Sequence, residues 1–429
     1  MNKERTVTAN NLPPGYRMTE LGPLPEEWKV VRLGEMASIK QGKVLSTKNF
    51  TDYGYPVFGA NGQIGWYSQY THEEPEVLVT CRGATCGTVN MSLPKSFITN
   101  NAMIVKPKND NLLKNFLYFA LTSADLKRII TGSGQPQITK SALSTVSIPL
   151  PPLPEQRAIA YVLRSVQEAK EKTENVINAL KELKKSLMKH LFTYGPVPVD
   201  EVDKVRLKET EIGRIPEHWK VVRLGEVVKL GHRSAEKSNV EFIPFIPMSF
   251  IPDDNLFIEQ WEIRKLTEVR SGVLVQRGDL LLAKITPSLE NGKQGILKNL
   301  PSEWGYATTE VFPIWTDKKD LLEIIFLAYY LKYPKIRNNL ASKMEGTTGR
   351  RRLPKHVLTS LPIPLPPLPE QKQIAHILRS VDEKIEAERK RLEALDKVFK
   401  ALLNDLMTAR RRVPGEFVNK FASRMEDTV

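Results

Sequence analysis

Two long stretches of the chain carry apolar residues at alternating steps of three and four. The first series is Ile159, Val162, Val166, Ala169, Thr173, Val176, Leu180, Leu183 and Leu187, and the second is Ile374, Leu378, Val381, Ile385, Glu388, Leu392, Leu395, Phe399, Leu402 and Leu406. This spacing predicts two helices of about 30 residues with a heptad-like seam. Two seams of equal length favour pairing of the helices with each other. The alternative is that each helix packs its apolar face on a separate core.

The chain is built from two copies of one plan. Residues 19–36 match residues 210–227 at 13 of 18 positions, and residues 147–166 match residues 362–381 at 15 of 20. The two offsets are 191 and 215, so the segment between the matched blocks is 24 residues longer in the second copy. A duplication of this kind implies an approximate two-fold axis, and the paired helices are therefore predicted to run antiparallel.

The octapeptide PLPPLPEQ occurs at residues 149–156 and again at residues 364–371. Taken alone, it is typical of a polyproline II ligand. Proline also suits the first turn of a helix, and Pro154 and Pro369 stand where the two heptad series begin. The glutamate that follows each proline favours the positive end of a helix. The octapeptide is therefore interpreted as a stiff joint between a variable domain and a long helix.

The segments between the matched blocks, residues 37–146 and 228–361, have little sequence in common but a similar order of features. Short alternating runs predict β-rich domains, and each domain is predicted to contain one helix followed by a Gly-rich or basic loop. The strands are expected within 76–93 and 102–107, the helices at 112–130 and 321–333, and the loops at 131–140 and 345–355. The two segments are predicted to share a fold.

The predicted fold class is α+β: two mixed α/β domains with β-rich cores, separated by two long helices that pair as an antiparallel coiled coil with pseudo-two-fold symmetry. Along the chain the predicted division is 1–146, 147–195, 196–361 and 362–429. The first and third segments are the variable domains with their repeat blocks, and the second and fourth are the joints with their helices.

Composition narrows the class of partner. The 429 residues include 41% hydrophobic and 26% charged residues, with a net charge of +14. An excess of cations favours a polyanionic partner, nucleic acid before membrane. There is no apolar run of about 18 residues, so no membrane span is expected, and the first 20 residues lack the apolar segment that a secretory signal would need. Two cysteines, Cys81 and Cys86, suit a reducing cytoplasm and are expected to be free thiols.

Catalytic chemistry has little support in the sequence. The six histidines, at positions 72, 190, 218, 232, 356 and 376, show no metal-binding spacing. No phosphate-binding GxxxxGK[ST] loop, no GxGxxG, no GxSxG and no DPPY- or NPPF-like methyltransferase tetrapeptide is present. The chain is therefore expected to have no catalytic site and no metal site of its own.

With these features in order, the chain resembles the specificity subunit of type I restriction–modification systems over essentially its whole length. The resemblance rests on the two PLPPLPEQ blocks with their heptad helices and on the two P-E-x-W-K-V-V-R-L-G-E blocks. It also rests on YPVFGANGQIGWY (55–67), CRGATCGTV (81–89), GDLLLAKITPSLENGKQG (278–295) and YATTEVF (306–312). One such phrase is weak evidence, whereas the ordered and duplicated set is specific.

The resemblance implies a function. In this family two target-recognition domains each read one half of a bipartite sequence in double-stranded DNA, and the paired helices fix the unread spacer. Two methyltransferase subunits bind the scaffold, and restriction subunits join that complex. No cofactor is expected on this chain, because S-adenosylmethionine, ATP and magnesium are bound by the partner subunits.

Loop positions whose side chains suit bases or phosphates are the predicted DNA-binding residues. They are Asn61, Gln63, Arg82, Thr85, Gln135, Gln137 and Lys140 in the first domain, and Lys284, Thr286, Ser288, Asn291, Lys293, Arg350, Arg351 and Arg352 in the second. Each of them is alternatively a solvated loop or turn residue, and the three arginines are alternatively phosphate clamps.

Other functions remain open at this level. The chain is alternatively the specificity chain of a modification system without a cleavage arm. It is also alternatively a coiled-coil scaffold that carries two protein-binding domains and does not bind DNA. An enzyme that acts alone is disfavoured by the missing motifs.

Overall fold

The computed structural model describes residues 12–132, 134–232, 241–347 and 349–422. Within these ranges, no helix is long and apolar enough to cross a membrane.

The first repeat contains eleven strands and four helices among its described residues. The strands are β1 Tyr16–Thr19, β2 Gly22–Pro25, β3 Lys29–Arg32, β4 Ala37–Gln41, β5 Tyr55–Gly59, β6 Gly62–Tyr67, β7 Val77–Thr80, β8 Val89–Met91, β9 Phe97–Ile98, β10 Ala102–Pro107 and β11 Ser147–Leu150. The helices are α1 Leu33–Met36, α2 Lys114–Ser123, α3 Lys140–Ser144 and the long α4 Leu153–Tyr194.

The second repeat follows the same plan with additional strands. Its strands are β12 Leu207–Thr210, β13 Gly213–Pro216, β14 Lys220–Arg223, β15 Lys229–Leu230, β16 Phe242–Ile246, β17 Phe257–Ile258, β18 Glu262–Lys265, β19 Val273–Gln276, β20 Leu280–Ala283, β21 Gln294–Leu297, β22 Trp304–Ala307, β23 Val311–Trp315, β24 Glu345–Thr347, β25 Arg350–Arg352 and β26 Pro362–Leu365. Its helices are α5 Leu224–Val227, α6 Ile324–Lys332, α7 Pro334–Ser342, α8 Lys355–Thr359, the long α9 Leu368–Met407, and α10 Gly415–Ala422.

The core sheets of the two variable domains have the same strand order. The first is β4-β10-β7-β8, and the second is β15-β23-β20-β21 with β17 added at the end. All neighbours in the shared four-strand order are antiparallel. The central strands β7 (VLVT) and β20 (LLLA) are buried at every position, because a helix covers one face and other strands cover the opposite face. The prediction that the divergent segments share a fold is confirmed for this sheet.

Outside the core sheets the domains differ. The first domain has a three-stranded sheet of order β6-β5-β9, whereas the second has a four-stranded sheet of order β18-β16-β22-β19 and the hairpin β24-β25. The 24 extra residues between the matched blocks of the second copy lie in this variable region.

The chain divides into two compact units. Unit 1 is residues 1–172 with 391–429, and unit 2 is residues 173–390. Each unit therefore contains one variable domain, one half of α4 and one half of α9. Because both long helices are shared, a division made in order along the chain does not coincide with the compact units.

Within each unit the two long helices run antiparallel, as predicted. In unit 1, Lys170 binds Asp396 at 2.6 Å, and Glu155 lies opposite Arg412 at 2.8 Å. Residue numbers thus fall along α4 while they rise along α9 and the residues that follow it, which is the antiparallel arrangement. In unit 2, Lys184 binds Asp382 at 2.6 Å. The register is the same in both units, since 170 + 396 and 184 + 382 both equal 566.

The predicted seam on α4 is wrong at two positions. Val176 and Leu183 were expected inside, but they are 42% and 48% exposed, whereas Ile177 is 6% exposed. The observed inward series is Ile159, Leu163, Val166, Lys170, Thr173, Ile177, Leu180, Lys184, Leu187 and Leu191. The other predicted positions are buried or half-buried, and Val162 packs against the core of unit 1. The seam also includes two lysines that reach aspartates on α9.

The glycine that follows the end of α4 is predicted to be required for stability. Gly195 follows the helix with φ of +83°, and its backbone N–H donates to Leu191 O. A Cβ at this position would lie 3.3 Å from the Trp219 ring. Gly195→Ala is therefore expected to lower the free energy of unfolding by about 1–2 kcal/mol, because a left-handed backbone is costly for any residue with a Cβ.

Urea unfolding followed by far-UV circular dichroism would measure this effect. Gly415→Ala is the matched control, because that glycine has open space around its Cβ direction and begins α10. Equal stability of the two variants would contradict the assignment of Gly195 as a required helix cap.

Candidate nucleic-acid interface and its supporting joints

The glutamine that ends the first octapeptide is fully buried at the start of α4. Gln156 Oε1 accepts a hydrogen bond from the backbone N–H of Leu113 at 3.0 Å. Its Nε2 donates to the carbonyl oxygens of Asn111 and Pro151, both at 2.9 Å. Leu113 is the N-cap residue of α2. One side chain therefore fastens the start of the domain helix to the start of the long helix.

The same arrangement recurs in unit 2. Gln371 Oε1 accepts from the backbone N–H of Glu323, the N-cap of α6, at 2.9 Å. Its Nε2 donates to Leu321 O at 2.9 Å and Pro366 O at 2.8 Å. Gln156 and Gln371 are both 0% exposed. Burial of a primary amide is tolerated here because both N–H donors and the oxygen are satisfied.

The glutamate before each glutamine binds a tryptophan of the other repeat block. Trp28 Nε1 donates to Glu155 Oε2 at 2.9 Å, and Trp219 Nε1 donates to Glu370 Oε2 at 2.8 Å. Both indoles are buried. The two matched sequence blocks are thus repeated together because they form the two sides of one joint.

The sequence interpretation missed these partners. It assigned the octapeptide glutamates to the helix start and attached no role to the glutamines. The available signal was the joint recurrence of the tryptophan in the first block with the EQ pair in the second block.

The two joints are closed by different side chains, Arg412 in unit 1 and His218 in unit 2. In unit 1, Arg412 Nε and Nη2 donate to the two carboxylate oxygens of Glu155 at 3.0 and 2.8 Å, and its Nη1 lies 2.6 Å from Glu27. The pKa of Glu27 is lowered by a hydrogen bond from its own backbone, with Arg412 adding to the effect. In unit 2, the second oxygen of Glu370 lies 2.7 Å from His218 Nε2.

The contact between domain helix and long helices also differs in character. In unit 1, Phe119 of α2 meets Phe399 of α9 with ring centroids 6.2 Å apart. In unit 2, Tyr329 of α6 donates its hydroxyl to Asp382 at 2.8 Å, and Lys184 lies 5.2 Å from the centre of the tyrosine ring. Burial, together with the charge of Asp382, raises the pKa of Tyr329. The aromatic pair of Phe119 and Phe399 in unit 1 is thus replaced in unit 2 by a polar cluster of Tyr329, Asp382 and Lys184.

Lys332 at the end of α6 extends this polar cluster. Its Nζ donates to Asn255 O at 2.9 Å. Burial, together with the nearby charge of Lys184, lowers the pKa of Lys332 to about 7, against the opposing effect of Asp382.

In the first domain, three segments that carry candidate residues are connected. Residues 82 and 137 form a β-bridge, and the N–H of Gly83 donates to Pro136 O at 3.0 Å. The hydroxyl of Thr85 donates to Ala60 O at 2.6 Å, which ties in the β5–β6 turn. The exposed first-domain candidates are Asn61 and Gln63 at the β5–β6 hairpin, Arg82, Gln135 and Gln137 on the bridged loops, and Lys140 at the start of α3. Thr85 is half-buried, and its hydroxyl serves the loop junction.

The second-domain candidates lie on two adjoining segments. The N–H of Thr286 donates to Arg351 O at 3.0 Å, and Ile285 forms a β-bridge with Arg352. Glu290 accepts from both Thr286 at 3.0 Å and Arg351 at 2.9 Å. These contacts place the arginine hairpin against the loop that contains Asn291, which is exposed.

Acidic neighbours hold the hairpin guanidinium groups. Arg352 contacts both oxygens of Glu310 at 2.7 and 2.6 Å, and Arg350 is exposed at the hairpin. Lys284 lies over the Phe312 ring at 4.9 Å, and burial lowers its pKa.

Two second-domain candidates do not lie on the exposed loop surface, which corrects the sequence interpretation. Ser288 is 7% exposed. The ammonium group of Lys293 donates to Met248 O and Ile251 O at 3.1 and 2.9 Å. Both side chains are drawn inward because the segment after Thr286 folds back on itself, with the Lys293 N–H bonded to Ser288 O.

The cysteines are free, as predicted. Cys81 is buried and Cys86 is half-buried, and burial raises the pKa of both thiols. Over the part of the chain that the structure describes, no group of three or more metal-ligating side chains is present.

Comparison with known proteins decides the family. The model of the type I restriction modification DNA specificity domain matches residues 25–182 and again residues 216–397. The chain belongs to this family. The two matches start within or beside the first repeat block of each copy and extend into α4 and α9, so each covers one variable domain with its joint.

Relatives of known name agree with this assignment. The chain is 29% identical to the type I restriction enzyme MjaVIII specificity subunit of Methanocaldococcus jannaschii, over 91% of this chain and 94% of that protein. It is 26% identical to the putative MjaX specificity subunit of the same organism, over 93% and 97% of the two chains. The crystal structure of an S subunit from M. genitalium has the same fold, with a TM-score of 0.60 at 18% identity over 89% and 96% of the two chains.

The buried glutamine gives a prediction for the joint. Gln371→Leu leaves the Glu323 N–H and the Leu321 and Pro366 carbonyls without their partner. We expect a loss of about 3 kcal/mol or more in the stability of unit 2, since each orphaned buried group costs about 1–3 kcal/mol. Gln373→Leu, two residues further along α9 and exposed, is the matched control. Chemical denaturation measures both, and a Gln371→Leu variant as stable as the control would contradict the role of the clamp.

Lys332 gives a prediction of pH dependence. Its folded pKa of about 7 lies below the unfolded value of 10.5. Between these values the unfolded chain binds more protons, so the contribution of this lysine to stability rises with pH above about 7. The stability of wild type minus that of Lys332→Met should therefore increase from pH 7 to pH 9. A difference that is flat or falls over this range would contradict the buried state of the ammonium.

Proposed function

We propose that this chain is the non-catalytic, DNA-reading subunit of a type I restriction–modification complex and that each variable domain reads one half of a bipartite target. The observation that carries the proposal is the repetition of the joint. Two invariant clamps hold two domains whose core sheets agree and whose loops differ. A scaffold used twice with different loops is suited to reading two different half-sites.

The loop surfaces supply the chemistry for reading. In the first domain, Arg82 with Gln135 and Gln137 presents a guanidinium beside two amides. Arginine pairs with guanine, and glutamine pairs with adenine, in the major groove. In the second domain, Arg350–Arg352 form a cationic hairpin. Its two carboxylate-bound arginines are held in fixed orientations, which favours directed contacts over a diffuse phosphate attraction.

The long helices are proposed to set the unread spacer. A helix of about 40 residues is about 60 Å long. Half-sites read on one face of the duplex lie about 34–36 Å apart for one helical turn. Paired helices of this size are adequate for such a spacing.

The remaining chemistry is assigned to partner proteins. Two methyltransferase subunits would bind this chain, and restriction subunits would join them on double-stranded DNA. S-adenosylmethionine would act on the methyltransferase, and ATP with magnesium on the restriction subunit. None of these groups is proposed to be bound by this chain.

Base reading by Arg82 leads to a prediction. Arg82→Ala should weaken binding to the cognate target by about 1–3 kcal/mol and relax selectivity at one base of the first half-site. Arg128→Ala is the matched control, because Arg128 is an exposed arginine of the same domain that pairs with Asp125. Fluorescence anisotropy on target and scrambled duplexes measures both variants. An equal loss on the two duplexes would assign Arg82 to phosphate binding, and no loss would remove it from the interface.

The spacer role leads to a second prediction. The heptads 173–179 and 387–393 are matched by number, since paired positions sum to 566, as do Lys170 with Asp396 in unit 1 and Lys184 with Asp382 in unit 2. Deleting both heptads shortens the helices by about 10 Å, or about three base pairs, and nearly preserves the rotation of the helix. The deletion variant should select the same two half-sites with a spacer that is shorter by about three base pairs.

Selection of bound sequences from a random DNA pool tests both the function and the spacer. The wild-type chain with its methyltransferase subunit should yield a split motif with a fixed spacer. Enrichment of no sequence would refute the proposed function and favour a scaffold that binds proteins only. A split motif whose spacer is unchanged in the deletion variant would refute the helices as the spacer determinant alone.

A further inference from the structure

In the first domain, the segment before α3 is bonded to the loop that follows β7. The N–H of Gly83 donates to Pro136 O at 3.0 Å, and the N–H of Ile138 donates to Cys81 O at 3.0 Å. Gln137 lies between the two bonded residues of this segment. Pro136 is half-buried, Gln137 is exposed and Ile138 is buried, so the backbone presents the Gln137 side chain to solvent.

In the second domain, the segment before α8 is bonded to the loop that follows β20 in the same way. The N–H of Thr286 donates to Arg351 O at 3.0 Å, and the N–H of Leu353 donates to Lys284 O at 2.7 Å. Arg351 is half-buried, Arg352 is exposed and Leu353 is buried. The alternation of burial is therefore the same as in the first domain.

The two segments are equivalent position by position. Residues 135–140 correspond to residues 350–355 at an offset of 215, which is also the offset of the second pair of matched blocks. The loop residues to which they are bonded correspond at a single offset of 203. The hydrogen bonds therefore establish an equivalence between two segments, QPQITK and RRRLPK, that share only their last residue.

The side chains at the exposed positions differ in one consistent way. The first domain has Gln135 and Gln137 where the second has Arg350 and Arg352, and all four residues are exposed. A side-chain amide pairs with adenine through N6 and N7, whereas a guanidinium pairs with guanine through O6 and N7. Because the backbone places these side chains equivalently, the two domains differ here in the base that each side chain suits.

The lysine at the end of the two segments is the same in both copies. Lys140 is the first residue of α3, Lys355 is the first residue of α8, and both are exposed. An ammonium group attracts phosphate without regard to the base. A side chain that is kept in both domains suits a task common to both half-sites, and side chains that differ suit the task that distinguishes them.

A carboxylate orients the guanidinium of Arg352. Both oxygens of Glu310 accept from Arg352 Nη2, and a guanidinium has five N–H donors, so a contact with a base is compatible with this pair. The position equivalent to Glu310 is Asn101. Cys81 N–H donates to Asn101 O at 2.9 Å, as Lys284 N–H donates to Glu310 O at 3.0 Å. The first domain thus has amides where the second has the carboxylate and the arginine.

We propose that positions 137 and 352, with 135 and 350 beside them, are equivalent base-reading positions, and that the first half-site carries adenine where the second carries guanine. Lys140 and Lys355 hold phosphate at equivalent places on the two half-sites. This inference rests on the proposed function and adds to it the base that each domain selects.

Exchange of the reading side chains tests the proposal. Gln137→Arg with Asn101→Glu transfers the arginine and its carboxylate to the first domain, and Arg352→Gln with Glu310→Asn transfers the two amides to the second. Neither exchange alters the net charge, so the general attraction to DNA is unchanged. Each variant is combined with the methyltransferase subunit, and bound sequences are selected from a random DNA pool.

The first exchange should replace adenine by guanine at one base pair of the first half-site, with a preference of about tenfold or more, and leave the second half-site as it was. The second exchange should replace guanine by adenine in the second half-site alone. Because the two exchanges lie in different domains, each of them decides the proposal independently.

Arg214→Gln with Glu209→Gln is the matched control, because it removes an exposed ion pair of the β12–β13 hairpin and also keeps the net charge. It should select the wild-type motif. Thermal unfolding of each variant within about 2 °C of wild type excludes misfolding as the cause of a changed motif. A folded exchange variant that keeps the wild-type base, or that loses it without acquiring the new one, would overturn the proposal.

The two lysines are tested by their effect on unrelated sequences. Lys140→Ala and Lys355→Ala should each weaken binding equally on target and scrambled duplexes and lower the salt dependence of binding by about one ion. A loss confined to the target duplex would contradict phosphate binding.

The selection experiment also separates this inference from the proposed function. If the wild-type complex enriches no sequence, the proposed function itself fails. If the wild type enriches a split motif that neither exchange alters, only the assignment of the base-reading positions is excluded.

Discussion

The architecture depends on a fully buried glutamine that makes three hydrogen bonds to backbone groups. Gln156 and its counterpart Gln371 each join the first turn of a long helix to the first turn of a domain helix. A primary amide is costly to bury unless every polar atom is paired, and pairing requires the two backbones to stand at one distance and one angle. Each domain is thereby oriented relative to its own helix by the requirement to satisfy one side chain.

Around this shared clamp the two units are completed differently. Glu155 receives a bidentate arginine from the segment after α9, whereas Glu370 meets His218 next to the tryptophan that it already binds. Where unit 1 has the aromatic contact of Phe119 with Phe399, unit 2 has Tyr329 against the charged pair of Lys184 and Asp382. The geometry of the joint is therefore retained while the source of its stabilisation varies.

Local periodicity and repetition made the helices, their antiparallel pairing and the common core sheet predictable. The contacts that the sequence did not predict are long-range or involve polar side chains. The indole of Trp28 finds its acceptor 127 residues away, and no local pattern marks such a pair. The seam was wrong at Val176 and Leu183. A search for apolar residues also passes over Lys170 and Lys184, whose stems lie in the seam while their ammonium groups reach aspartates. Among the candidate DNA-binding residues, Ser288 and Lys293 were wrongly expected on the exposed loop, because the local backbone fold turns both side chains inward.

The division of both long helices between the units limits how domains can be exchanged by recombination. Phe119 of the first domain packs on Phe399, which is encoded 280 positions later and would stay behind when a foreign first domain replaced residues 37–146. An incoming domain is compatible only if it presents an apolar residue at that position. Interchanging the two domains within this chain would place Tyr329 against Phe399 and would leave the tyrosine hydroxyl without its carboxylate. It would also place Phe119 against the charged pair of Lys184 and Asp382. Recombination can thus change the reading loops freely. The domain residue that faces the distant long helix must instead be exchanged together with its partner on that helix.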